Sequence, residues 1–160
     1  MARKAVVKLR KAERIEPPYF EKTPKSGSQL QGLAYERRVY EYLESLLQDH
    51  EVLHGPWFRY YDKFTGQRGS IAQPDIIVVP PDPALPLSLI ECKLCYKPEA
   101  DQKLARLYKP LVQYVYPGRR ILTAQVFKSV PLACNLVLDA RLKDLYNQLD
   151  VNHRDILEVL

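Results

Sequence analysis

Two short apolar runs dominate the middle of the chain. Ile76-Ile77-Val78-Val79 and Leu89-Ile90-Glu91-Cys92-Lys93-Leu94 are rich in β-branched residues, and a Pro-rich stretch, residues 80–86, separates them. This is the pattern of a hairpin in a sheet core. Residues two apart on a strand share a face. Glu91 and Lys93 therefore point the same way as Leu89, while Ile90, Cys92 and Leu94 point into an apolar layer. Upstream, Leu33, Val39, Tyr40, Leu43, Leu46 and Leu47 form the stripe of an amphipathic helix over residues 33–48. Glu36 sits at the centre of that stripe, and Arg37, Arg38, Glu41, Glu44 and Ser45 lie on its outer face. Downstream, Leu104, Leu107, Tyr108, Leu111, Val112 and Val115 predict a helix over residues 99–116, which Pro110 should kink or divide.

The shorter elements follow the same logic. Val52-Leu53 and residues 57–62 read as one strand with aromatics on both faces. The basic turn 63–69 then leads through Ser70-Ile71-Ala72 into the strand of Asp75. Residues 120–127 and 134–138 read as strands, and 142–149 and 155–160 as short helices. The resulting order is α-β-β-β-α-β, with a further strand and terminal helices. It predicts an α/β domain, a mixed sheet flanked by helices.

Charges interrupt this core in unusual places. Asp75 opens one strand of the hairpin, Glu91 and Lys93 interrupt the other, and Glu36 occupies an apolar helix position. Burying a charge costs several kcal/mol unless it is paired or binds a metal. A hard divalent cation with oxygen ligands would hold such a cluster. A carboxylate where the helical period demands an apolar residue is itself a functional flag.

Pro74-Asp75, Glu91 sixteen positions on, and Lys93 after one further residue resemble the signature of the PD-(D/E)XK nuclease superfamily. That superfamily includes restriction endonucleases, Holliday-junction resolvases, and RecB-like and VRR-type nucleases. Gly32-Leu33-Ala34-Tyr35-Glu36-Arg37 resembles its first motif. The resemblance spans residues 32–127 and implies a restriction-endonuclease-like fold with an αβββαβ core. It implies Mg2+ (or Mn2+) held by Asp75, Glu91 and the backbone carbonyl of Cys92, with Glu36 reaching the ion directly or through water. Lys93 would activate water, which makes Glu36, Asp75, Glu91 and Lys93 the catalytic set. Gln113-Tyr114-Val115-Tyr116 is similar to the Gln-x-x-x-Tyr signature of RecB-like nucleases but is one residue short, and offers Gln113 as a contact to nucleic acid.

Composition narrows the partners. The 160 residues suffice for one domain with its own core. Apolar content of 46% and charged content of 27% are globular values. No apolar run approaches a membrane span, and the first residues lack a signal-peptide apolar region. Three cysteines form a sparse, odd set that points to a reducing cytoplasm. Cys92 and Cys95 have Cys-x-x-Cys spacing without a second pair, and are expected to be buried structural residues.

The net charge of +5 has one location. Arg3, Lys4, Lys8, Arg10, Lys11, Arg14, Lys22 and Lys25 face only Glu13, Glu16 and Glu21 within residues 1–31, so the whole excess lies there. Residues 1–31 therefore read as a basic, mostly irregular arm with a short helix near 4–14, and 32–160 as a single nuclease-like domain. An anionic polymer is the expected partner: DNA, with RNA left open. In the turn, Arg68 is placed to pair with phosphate and Phe64 to stack. The oligomeric state is open and compatible with a homodimer. The expectation is a divalent-metal-dependent nuclease acting on DNA. The competing readings are a catalytically silent nucleic-acid-binding module of the same fold and a protein-interaction domain.

Overall fold

A computed structural model describes residues 5–20, 23–64, 68–129 and 156–159. The elements in chain order are β1 (Leu9–Ile15), α1 (Gly27–Leu46), β2 (Glu51–His54), β3 (Trp57–Asp62), β4 (Ser70–Ala72), β5 (Ile76–Val79), β6 (Leu87–Cys95), α2 (Pro98–Lys103), a π-helical turn (Leu104–Tyr108), α3 (Lys109–Val115), β7 (Ile121–Ser129) and β8 (Ile156–Val159). They build a mixed α/β fold with two sheets. The large sheet has the order β2-β5-β6-β7-β8 and the small one β1-β3-β4. In the large sheet only β6 and β7 run parallel; the other neighbours are antiparallel.

The strand period divides the core between the two faces of the large sheet. Ile76, Val78, Ile90, Cys92 and Val126 face one way, onto Tyr35, Val39 and Leu43 of α1. Ile77, Leu87 and Leu89 face the other way, onto Leu104, Leu107, Tyr108, Leu111 and Val112. Phe58 and Ala72 bring the small sheet into that second cluster. No helix among the described residues is long and apolar enough to cross a membrane.

The α1 stripe differs from the expected one. Tyr35, Val39 and Leu43 are buried, and Leu33 and Leu46 are exposed. The helix also begins earlier, at Gly27. Ser26 caps it: its Oγ accepts the Gln29 N–H at 3.3 Å, and Gln29 Oε1 accepts the Ser26 N–H at 2.9 Å. This reciprocal capping box satisfies two donors that a helix N-terminus leaves open. The expected boundary between residues 31 and 32 therefore falls inside α1.

Residues 9–15 are a strand, in place of the expected basic helix within an irregular arm. β1 pairs with β3 along Ala12↔Tyr60 through Ile15↔Trp57, and its register slips between Leu9 and Lys11. The slip inserts Arg10 as an extra residue. Leu9 and Ala12 thus reach the same inner face despite a three-residue spacing that mimics a helix. The N-terminal segment is tied down further by the Val7 N–H, which donates to the Arg106 carbonyl at 2.9 Å. Pro110 stands four residues after Arg106 and has no N–H to offer that carbonyl. The same proline follows the π-turn, and the helix continues through it.

Three further differences concern the strands. Residues 52–62 are split at Gly55, whose φ of 58° turns the chain from β2 in one sheet to β3 in the other. Ser70–Ala72 pairs with β3 rather than opening the Asp75 strand. Ile156–Val159 is a strand on β7, in place of the expected helix over 155–160. Four residues are too few for a stable isolated helix, and pairing covers an otherwise open sheet edge. The expected strand 134–138, the helix 142–149 and Cys134 lie outside the described residues.

Candidate metal centre

Register brings the carboxylates together. His54 pairs with Ile76, and Ile76 with Ile90, so the ends of β2, β5 and β6 lie side by side. Asp75 and Glu91 each stand one residue past that last pair and therefore face one another. Two hydrogen bonds clasp them. The Asp75 N–H donates to Glu91 Oε1 at 3.1 Å, and the Cys92 N–H donates to Asp75 Oδ2 at 2.8 Å. The Cys92 carbonyl leaves the strand on the same side as its N–H, towards Asp75. The hairpin itself is held by Arg119, whose Nη2 donates to the carbonyls of Pro80 and Leu85, both at 3.2 Å.

Glu36 arrives from α1. Its Oε1 lies 3.2 Å from His54 Nε2, and the Tyr40 ring stacks on the His54 imidazole at 4.6 Å. Glu36, Asp75, Cys92 and Lys93 line one cleft of about 730 Å³, together with Lys25 and Lys97. Glu91 is 3% exposed and stands behind Asp75. Lys93 is half-buried in the cleft wall. Gln113 and Arg68, the two expected nucleic-acid contacts, are exposed, and neither lines this cleft.

The electrostatics are those of crowded, desolvated carboxylates. Burial, then the Asp75 charge, pushes Glu91 up to about 8. Burial, again followed by Asp75, pushes Glu36 up to about 7, with Lys93 and Lys25 pulling the other way. Asp75 is raised by burial against the hydrogen bond from Cys92 and the charge of Lys93. His54 is lowered, chiefly by desolvation. Near neutral pH its contact with Glu36 is therefore a hydrogen bond more than a pair of full charges. Tyr108 is pushed up by burial and by the neighbouring carboxylates, and its hydroxyl points to the Gln73 carbonyl at 3.5 Å.

Among the described residues, no three His, Cys, Asp or Glu side chains form a ready-made cage for an ion. Magnesium does not need one, since it keeps several waters and takes one or two carboxylates. Asp75 and Glu91 each commit one oxygen to a backbone N–H and keep the other, so the donor set fits magnesium or manganese. Burial holds the Cys92 thiol well above its usual range. Cys92 is buried in the α1 layer, as its place on the strand predicts.

Three site residues are not legible as such in the sequence. His54 carries no local signal; only the β2–β5 register puts it beside Glu36. Lys25 reads as part of the arm, yet the Ser26-x-x-Gln29 capping box next to it marks the start of α1. Gln125 is fully buried and faces Glu91 across β6 and β7. Its Oε1 accepts the Lys97 N–H at 3.0 Å, and its Nε2 donates to the Lys97 carbonyl and to Asp101 Oδ1. It fixes the turn that follows β6 and so the wall of the cleft. Comparison with known protein families, curated proteins and solved structures returns no match.

Proposed function

We propose that the chain is a divalent-metal-dependent nuclease that hydrolyses phosphodiester bonds of DNA on a restriction-endonuclease-like core. One observation carries the reading: Glu36 and Asp75 line one cleft beside Lys93, and Glu91 is clasped to Asp75 behind them. All three carboxylates are desolvated and held above their ordinary range, so a bound cation would offset their burial and repulsion. The topology supports the same reading. With the β3–β4 hairpin taken as an insertion, α1, β2, β5, β6, α2–α3 and β7 follow the αβββαβ order that the motif implies.

Asp75 and Glu91 would hold the ion with their uncommitted oxygens, helped by the Cys92 carbonyl, with Glu36 completing the set from α1. A bound magnesium or manganese ion would supply Lewis acidity, a more acidic bound water and charge neutralisation at the phosphate. Lys93 places an ammonium at the same cleft, where it orients the attacking water and stabilises charge developing on the phosphate. Lys25 and Lys97 on the cleft walls attract the polyanion. His54 holds the Glu36 carboxyl toward Asp75.

A plasmid-cleavage assay tests this. Cleavage is expected with magnesium or manganese, none with EDTA, and none with Asp75→Asn or Glu91→Gln. Binding without cleavage under every metal condition would favour the silent module, whose affinity would rest on the basic residues alone.

A further inference from the structure

The outer face of the small sheet carries aromatic and basic side chains, with Glu13 opposite Arg59 and 3.9 Å from Lys11 Nζ. Phe58 is buried beneath β3, so Trp57, Arg59 and Tyr61, at every second position, share the opposite face. The extra residue at Arg10 brings two cations to one ring: the Arg10 guanidinium lies 5.6 Å and Lys11 Nζ 5.9 Å from the Tyr61 centroid. At the other end the Phe20 ring lies 5.4 Å from Trp57, tilted by 37°. Between them, the Arg59 and Tyr61 side chains lie against Gly69, filling the place a side chain there would take at 2.9–3.0 Å. Phe20 is 56% and the Lys11 side chain 60% exposed.

This face leads to the carboxylates. Trp57 lines a second cleft of about 600 Å³ with Arg14, Pro17, Gly55 and His54. His54 is the residue that also touches Glu36. A wall residue of each cleft, His54 of the second and Glu36 of the first, is therefore in contact with the other.

We propose that this face is a platform for a single-stranded segment of nucleic acid adjoining the cleavage point, its bases stacking on Phe20, Trp57 and Tyr61 and its phosphates meeting Arg10, Lys11 and Arg59. The proposal rests on the nuclease reading and names its substrate class: branched or overhanging DNA rather than blunt duplex. Aromatic rings beside cations are the recognition chemistry of unpaired strands, because every base has a face to stack. A blunt duplex keeps its bases stacked on each other and would use only the cations.

Trp57 is the sole tryptophan, so its emission reports on this face. The full chain is titrated in EDTA with a blunt duplex and with the same duplex carrying an unpaired dT extension. The extension should quench Trp57 and tighten binding at least about tenfold, the scale of one or two stacked bases. Phe20→Leu and Tyr61→Leu should each remove most of that preference, and Phe20→Leu should leave blunt-duplex affinity unchanged. Phe20 is exposed enough that its replacement leaves the fold intact even if Tyr61→Leu does not fold. Equal affinity for the two DNAs, with Trp57 emission unchanged at saturation, overturns the proposal. If the protein still cleaves DNA with magnesium and Glu91→Gln abolishes that cleavage, the nuclease reading survives this failure. If neither DNA binds nor is cut, both fall.

Discussion

At the scale of single residues, the site makes two predictions, the first from its carboxylates. Glu91 and Glu36 bind their protons more tightly in the folded protein than in the unfolded chain. The folded state then carries more protons over the interval between the ordinary carboxylate range and about 8. Stability must therefore fall as pH rises through that interval and level off above it. In EDTA, Tm should drop between about pH 5 and pH 8. Glu91→Gln, which keeps an acceptor for the Asp75 N–H, should flatten the decline. Magnesium should raise Tm more at pH 8 than at pH 6, because protons compete with the ion. A Tm that is level or rising across this range in EDTA would show that the carboxylates are not crowded. The conservative change matters here: Asp75→Ala would strand the buried Cys92 N–H, and its cost would mask the relief of repulsion. Lys93 makes the second prediction. Lys93→Ala should lower the single-turnover rate at least about a hundredfold, as for a positioned catalytic group, with DNA affinity little changed. An unaltered rate would leave Lys93 as a structural partner of the acids.

At the scale of elements, the N-terminal segment is part of the fold. β1 completes the small sheet, and Ser26 caps the helix that carries Glu36. Ser26→Ala should destabilise the protein by about 1 kcal/mol, the typical loss for an N-cap. That corresponds to a fall in Tm of about 2–4 °C for a chain of this size. A truncation starting at Gln31 removes β1, the cap, Lys25 and the first turn of α1 together. It should lose cooperative unfolding and metal-dependent cleavage, not merely affinity. A truncated protein that melts like the full chain and cuts at the same saturated rate would mean that β1 is dispensable. Pro110 belongs to this scale too, since the carbonyl it cannot serve is the one that receives Val7.

At the scale of the whole molecule, charge location becomes charge placement. β1 fixes Arg10, Lys11 and Arg14 along one edge of the small sheet, and Lys8, just before it, lies over Phe64 at 5.5 Å. Binding of DNA should weaken steeply with salt, because each phosphate neutralised releases counterions. Arg10→Gln combined with Lys11→Gln should reduce the magnitude of the log–log salt slope by about 0.9 for each phosphate left without its cation, so by roughly one to two in all. Binding with the same slope in parent and variant would place the DNA on another face.

The sequence by itself determined the hairpin, its inward acids and the alternation that sends Cys92 one way and Glu91 the other, because strand period is a local property of the backbone. It also determined the helix of Glu36 and the helical stretch after Lys93, where apolar residues recur at helical spacing. Tertiary structure alone decided the rest. Whether Leu9 and Ala12 form a helix or a bulged strand depends on β3 being there to pair with. Whether residues 52–62 are one strand or two depends on which sheet each half can join. The place of His54 follows from the register between β2 and β5, and no window along the chain contains both partners. Local pattern fixes the direction in which a side chain points; only pairing across the sheet fixes what it meets.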